Sequence, residues 1–330
     1  MLTLLTDFGA ADYYVAAVKG VVLRLAPGTT IVDVGHEVPP GDVAAGAFLL
    51  AAAAPWFPPG TVHLAVVDPG VGSERRILAA ETAAGFLVGP DNGLLSPLLG
   101  PGVAVRAVER ADLFLPGPGA TFHGRDRFAP VAAWLLRGEP FAALGPEVSD
   151  PVRLPGERPR REGGLLAGTV VHVDRFGNLV TDIPAGWLPA GPCRVEVEGR
   201  TTGWRAEHYE EIPPGEAALL PGSLGTLELA ARGADLARLW GVGRGAKVRI
   251  EGSGRTQPGL RTVEGAWDMT KWEYKIINIR SENYRLDPNA AIQMNQLGEE
   301  GWELVSITSV NFKTGATDNI AMVFKRPVGG

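Results

Sequence analysis

A single cysteine, Cys193, in 330 residues rules out an internal disulfide and a cysteine cage for a metal, and it suits a reducing cytoplasm. Positive charge is also scarce. The net charge of −6 offers no basic face to a nucleic-acid backbone, so no nucleic-acid partner is expected. The longest apolar stretch, Val43 to Phe57, contains Pro55 and falls short of a bilayer, so no membrane association is expected either. The opening MLTLLTDFG lacks a basic leader and reaches Asp7 at once, unlike a signal peptide. Asparagine is nearly missing from the first 268 positions, where only Asn92 and Asn178 occur, and then recurs at Asn278, Asn283, Asn289, Asn295, Asn311 and Asn319. That break marks residues from Met269 onward as a module of different origin.

What is present is ordinary for a soluble globular chain: 45% apolar and 21% charged residues. The length exceeds one comfortable core, so several domains are expected. Leu2 to Thr6 reads as a strand, DYYVAAVKGVVLRL as a helix capped by Asp12, and TIVDV as a second strand. A second helix opens at Asp42, and VHLAVVD follows as the central strand. This alternation predicts a mostly parallel sheet with flanking helices over residues 1–150. Residues 151–164, rich in Pro, Gly and Arg, read as a linker. Short β-type runs over 165–251, LLAGTVVHVD, GNLVTDI, CRVEVEG, EAALLPG, GTLELA and AKVRIEG, predict a small all-β barrel or sandwich. Residues 252–270 carry no pattern, and 271–327 read as a small appended α/β unit of strand, helix, strand and strand. The fold class is therefore α/β, followed by an all-β barrel and a short α/β module.

Three parallel strands would bring Asp7, His36 and Asp68 to one sheet edge, where open α/β folds hold their ligands. The stretch VVDPGVGSERR places Asp68 in a sharp turn before Arg75 and Arg76, and GATFHGRD sets His123 in a second Gly-rich turn. Asp68, Arg75 and His123 are candidates for a carboxylate, guanidinium and imidazole cluster around one water. Each alone has a plainer reading, as turn former, solvated charge or loop histidine. Asp7 can accept two hydrogen bonds, which suits a ribose diol. In VHVDRFGNLVTDI, Phe176 and Asn178 offer an aromatic face and an amide for an adenine ring, and Asp174 can receive an ammonium group. No Walker motif or G-x-G-x-x-G follows the first strand. The DFG and near-HRD look-alikes stand in the wrong order for a kinase. A metal held by His36, His123, Asp7 and Asp68 lacks helical ligand spacing, and none is expected.

Taken in order, TDFG…D, VDVGHEVPPGDV, VVDPGVGSERR, GPDNG, FHGRDRFAP, VDRFGNLVT and GSLGTLELA resemble the S-adenosyl-L-methionine hydroxide adenosyltransferases. These are the water-using relatives of the fluorinating and chlorinating enzymes. The match runs from residue 2 to about 250. It implies an α/β domain, a β-barrel, and a homotrimer whose site lies between one subunit's first domain and its neighbour's second. Carried over by residue, the resemblance implies Asp68, Arg75 and His123 as the water-activating set. It implies Asp7 on the ribose, Asp12 near the methionine end, Asp174 on the methionine amine, Phe176 and Asn178 on adenine, and Ser223 on the methionine carboxylate. The loop departs from the family pattern: Gly222 replaces an Asn, and Leu224 supplies no polar side chain. Gly41 stands where the fluorinating enzyme has an aromatic residue. The implied activity is hydrolysis of S-adenosyl-L-methionine to adenosine and L-methionine. The substrate is itself an activated sulfonium, so no cofactor is expected. A halogenating transferase and a non-catalytic binder of adenosyl compounds are the alternatives. Residues 271–327 resemble a family of small domains of unknown function marked by WEYK, L-x-x-x-G-W-E-L-V and FKRP, and an unidentified partner is one reading of that module.

Overall fold

The computed structural model describes residues 1–116, 121–189 and 191–252. Beyond these it describes backbone strands within 272–286 and 303–327, with residues 295–297, 299–300 and 302. The chain divides into two compact units, Met1–Thr262 and Val263–Gly330.

In the first unit, β1 (Leu2–Thr6), β2 (Ile31–Gly35) and β3 (Thr61–Val66) alternate with α1 (Tyr14–Leu25) and α2 (Val43–Ala53). Then come β4 (Ile77–Thr82), β5 (Gly85–Pro90), β6 (Ala104–Ala107) and α3 (Ala129–Leu136). The sheet order is β2-β1-β3-β5-β4-β6. The first four strands run parallel, and β4 lies antiparallel to both of its neighbours. β1 and β3 are buried along their whole length, which explains their unbroken apolar runs: both faces are covered. On one face Val18 and Val22 of α1 and Val131 and Leu135 of α3 pack with Leu2, Leu4 and Leu64. On the other, Ala47 and Leu50 of α2 pack with Leu5, Ala65 and Leu87. Because β2, β1 and β3 are parallel neighbours, their carboxyl ends lie side by side along one edge of the sheet.

Asp12 does not cap α1. The helix begins at Tyr14 after Tyr13, with no side-chain cap. Its entry is held by rings instead: Tyr14 lies 5.9 Å from Phe8 and 5.1 Å from Phe122, centroid to centroid. Asp42, by contrast, does cap α2, accepting from the Ala45 amide at 3.0 Å.

The stretch read as a linker is pinned at both ends. Val152 N donates to Asp91 at 2.8 Å, and Arg160–Glu162 forms a short strand, β7, on the next element. The barrel comprises β8 (Leu165–Val173), β9 (Leu179–Pro184), β10 (Cys193–Val197), β11 (Arg200–Thr202), β12 (Trp204–Arg205), β13 (Ala217–Pro221), β14 (Thr226–Ala231) and β15 (Lys247–Gly252), with a short helix, α4 (Leu236–Trp240), before the last. All six β runs read from sequence are present; β11, β12 and α4 are additional short elements with weaker sequence patterns. Pairing follows β11-β10-β15-β8-β9-β14-β13-β12. The ends curl toward each other, and Thr202 Oγ1 donates to Ala217 O to tie β11 to β13. β10 alternates buried and exposed residues, as a barrel wall with one dry face requires. Two clasps join barrel and α2: Phe48 stacks on His172 at 4.5 Å, and Arg244 pairs with Asp42 at 2.6 Å.

The second unit is an antiparallel sheet of order β17-β16-β19-β18, from β16 (Trp272–Glu282), β17 (Arg285–Leu286), β18 (Glu303–Asn311) and β19 (Thr317–Pro327). Of the helix read over residues 289–301, only 295–297, 299 and 300 are described; 295–297 and 299 are helical, and Glu300 lies in a turn. The patternless residues 253–270 lie outside the described residues. Among the described residues no helix is long and apolar enough to cross a membrane.

Candidate active site

Strand β3 is buried through Val67, and the chain then doubles back. Val71 N reaches Asp68 O at 3.1 Å, Ser73 N reaches Gly70 O at 3.1 Å, and the Ser73 hydroxyl donates to Gly70 O at 2.7 Å. This compact turn returns the chain so that Arg75 faces Asp68 across it. Arg75 Nε donates to Asp68 Oδ1 at 2.6 Å, and Nη2 donates to Oδ2. The guanidinium also lies 5.1 Å over the Phe128 ring. Only 9% of the Arg75 side chain and 5% of the Asp68 side chain are exposed, so the pair sits in low dielectric and is hard to break. The neighbouring Arg76 turns the other way, to Asp91 at 2.6 Å and Asp150 at 2.8 Å. The PDNG turn at residues 90–93 supports both arginines' positions, because Asn92 Nδ2 donates to Val67 O, one residue before Asp68, at 2.8 Å.

His123 joins the cluster from a π-helical turn, Gly124–Phe128, that precedes α3. Its Nδ1 lies 2.9 Å from Arg75 Nη2. A guanidinium can only donate, so Nδ1 accepts, and the neutral ring carries its proton on Nε2. Burial lowers the His123 pKa below its usual 6.5, and the Arg127 and Arg75 charges lower it further against the opposing pull of Asp68 and Asp126. His123 is therefore neutral near pH 7. Arg75 Nη1 and His123 Nε2 are buried with no protein partner. Two orphan donors beside a carboxylate suit one small oxygen species that accepts from both and donates to Asp68.

Asp7 follows β1, and its Oδ2 accepts from the Gly41 amide at 2.8 Å. Gly41 adopts φ +72°, and a Cβ there would lie 3.6 Å from Pro69, so the turn after β2 touches the Asp68 loop as well. Asp12 is exposed and shares no hydrogen bond with the triad. His36 is taken up by neighbours away from the triad: Nδ1 meets Thr6 Oγ1 at 3.0 Å, Nε2 approaches Asp33 at 3.1 Å, and its carbonyl accepts from Gly9 N. Among the described residues, no group of three or more His, Cys, Asp or Glu side chains is arranged to hold a metal ion. Sequence reading missed the ring cluster of Phe8, Tyr13, Tyr14 and Phe122 flanking Asp7 and His123. Its signal was the aromatic residue adjoining each candidate.

In the barrel, Asp174 is occupied by its own turn. Oδ1 accepts from Phe176 N and Asn178 N, each at 2.9 Å, and Oδ2 accepts from Asn178 Nδ2 at 2.9 Å. Turn chemistry therefore accounts for Asp174 as well as for Gly177 and Asn178. It does not account for Phe176, which is 74% exposed. Gly177, at φ +83°, is required: a Cβ would lie 2.1 Å from the Asp235 carboxylate that caps α4. Ser223 is exposed on the turn after β13. At Gly222 a Cβ would come within 2.7 Å of Glu228 Oε2, which explains the missing Asn. Burial raises the Glu228 pKa, and the nearby Asp174 charge adds to it, although Tyr209 donates a hydrogen bond to the carboxylate. Thus Asp68, Arg75 and His123 converge. Within one chain, no hydrogen bond, ion pair or ring contact among the described residues links them to the Asp174–Asn178 turn or to Ser223.

An open, mostly parallel sheet with a buried polar triad at its carboxyl edge, followed by a curled antiparallel barrel, defines an α/β enzyme built on strand-end chemistry. Two family models cover that part of the chain: the SAM hydroxide adenosyltransferase N-terminal domain at residues 2–145 and its C-terminal domain at 168–249. The chain belongs to the SAM hydroxide adenosyltransferase family. It is 45% identical over 251 residues to the (R)-S-adenosyl-L-methionine hydrolase of Salinispora tropica, covering 74% of this chain and 95% of that protein. A fluorinase from an Actinoplanes species is 32% identical over 212 residues, covering 56% of this chain and 71% of its own length. An uncharacterized conserved protein from Thermotoga maritima, solved by crystallography, superposes with a TM-score of 0.72 at 35% identity, covering 76% of this chain and all of that one. Residues 272–327 match a domain of unknown function, DUF4177.

Proposed function

We propose that this chain hydrolyses S-adenosyl-L-methionine to adenosine, L-methionine and a proton. The observation that carries the reading is the pair of buried, unpartnered donors, Arg75 Nη1 and His123 Nε2, beside the Asp68 carboxylate. A water or hydroxide held there forms a bond to the ribose 5′ carbon while the carbon–sulfur bond breaks and its electrons remain on sulfur as the methionine thioether. The sulfonium is already an excellent leaving group, so no acid and no cofactor is required. Catalysis rests on holding the oxygen in line and on a fixed field around it. Since His123 Nδ1 is taken by Arg75, His123 acts as a donor that orients the nucleophile, and the released proton passes by way of Asp68 to solvent.

Asp7 then holds the ribose hydroxyls, Phe176 and Asn178 the adenine, and Asp174, Asp12 and Ser223 the methionine end. Phe176, Asp12 and Ser223 are all exposed in the single chain, which fits a homotrimer whose neighbour supplies the barrel half of each site. The buried lone thiol of Cys193 suits the cytoplasm. The name of the Salinispora relative specifies the R configuration at sulfur, and we extend that preference to this chain.

The test is incubation with R and S epimers of S-adenosyl-L-methionine in heavy-oxygen water. The label is expected in the adenosine 5′ hydroxyl, with the R epimer consumed faster. Unlabelled adenosine would sink the mechanism. Parallel arms with fluoride and chloride are expected to yield no halogenated nucleoside.

A further inference from the structure

The turn between β2 and α2 touches three parts of the molecule. Gly41 N holds Asp7 Oδ2 at 2.8 Å, and the Gly41 Cα faces Pro69, the residue after Asp68. The next residue, Asp42, does two jobs. Its Oδ1 accepts from Ala45 N at 3.0 Å to cap α2, and its Oδ2 takes Arg244 Nη2 at 2.6 Å. Arg244 stands in the barrel, on the loop between α4 and β15, and none of the candidate roles above includes it. The turn also carries its own backbone bonds, Asp42 N to Pro39 O and Val43 N to Gly41 O, both 2.9 Å, and among the described residues Arg244 is the hydrogen-bonded tether from this turn to the barrel.

We infer that Arg244 is a positioning residue for the adenosyl reaction: by gripping Asp42 it keeps the Gly41 amide on Asp7, and so fixes the carboxylate that receives the ribose. The inference rests on the proposed function for the identity of the ligand. Burial pushes the Asp42 pKa up, but the Arg244 hydrogen bond and the Ala45 amide outweigh it, so Asp42 is held ionised for the pair. The Arg244 side chain is 37% exposed and the Asp42 side chain 22%, so the ion pair adds little to folding and its loss leaves the protein intact. The Phe48–His172 stack is a second clasp that keeps barrel and α2 together when Arg244 is removed. The consequence falls on ligand geometry.

The experiment compares Arg244→Ala, Arg244→Lys, Asp42→Asn and the Arg244→Ala/Asp42→Asn double variant in the full chain. Asparagine keeps the helix cap while removing the charge. Adenosine affinity is measured by calorimetry, and KM and kcat with S-adenosyl-L-methionine. Displacing one hydrogen bond on an ionised acceptor is expected to weaken adenosine binding and raise KM by at least about tenfold in Arg244→Ala, with kcat within about twofold. Lysine is expected to restore most of the loss, and the double variant to be no worse than Arg244→Ala alone. Unchanged adenosine affinity in Arg244→Ala, failure of lysine to rescue, or additive losses in the double variant would each overturn the inference. Should the wild type bind adenosine without hydrolysing the substrate, the functional reading falls while the adenosine comparison still decides the role of Arg244. A wild type that does not bind adenosine overturns both.

Discussion

Replacing Arg75 by lysine separates charge from geometry at the centre of the site. Lysine keeps one positive charge near Asp68, but it offers a single ammonium where the guanidinium makes a two-pronged contact with Asp68 and a third hydrogen bond to His123 Nδ1 at 2.9 Å. It also removes Nη1, one of the two unpartnered donors. Loss of a preorganised donor of this kind costs about 2.7–4 kcal/mol in the transition state, a fall in kcat of roughly a hundredfold to a thousandfold. Freeing His123 Nδ1 and loosening Asp68 sacrifices hydrogen bonds to charged groups worth about 1.5–3 kcal/mol, so the unfolding free energy is expected to drop by about 2 kcal/mol. Alanine is a poorer probe: it leaves a nearly buried carboxylate unpaired, at about 3–5 kcal/mol, and confuses folding with chemistry. The assay is adenosine formation followed by chromatography, beside urea unfolding and calorimetric adenosine binding. A lysine variant with kcat within about fivefold of wild type would refute the reasoning, because the fork would then be dispensable. Lost adenosine binding would also refute it, since the triad is assigned to the water and not to the nucleoside.

Two further outcomes follow from the same geometry. Protonated His123 cannot accept from Arg75, so activity requires the neutral ring; because its pKa is lowered, kcat/KM should fall on acidification with a His123-dependent midpoint below 6.5, and a midpoint at or above 6.5 would contradict the assignment. Phe176→Ala should leave unfolding within about 0.5 kcal/mol of wild type, since the ring is exposed, yet weaken adenosine binding by about 1–3 kcal/mol through lost stacking, which calorimetry reads directly.

Much of the first unit was legible along the chain because parallel strands covered on both faces carry unbroken apolar runs, and their helices carry caps and breakers. Asp42 was readable as a cap, being the last polar residue before an apolar helix. Asp12 misled, since a carboxylate before a helix is the usual cap, and here ring packing of Phe8, Tyr14 and Phe122 holds the helix entry instead. Residues 151–164 look like a linker in composition, yet Val152 and β7 are tied down by contacts with residues far away in the chain.

VVDPGVGSERR announced a turn with a carboxylate and two arginines by local chemistry alone, and the order of motifs was enough to suggest the family. Which arginine faces Asp68, and which one serves Asp91 and Asp150, was decided only when the turn folded and the PDNG turn came to lie beside it. The direction of the His123 proton likewise follows from a guanidinium 48 positions away in the chain placed at Nδ1. Residue types and short-range spacing belong to the sequence, because turns and caps are settled within a few residues. Partner choice, burial and tautomer belong to the tertiary structure, because they depend on what distant strands bring to the same edge.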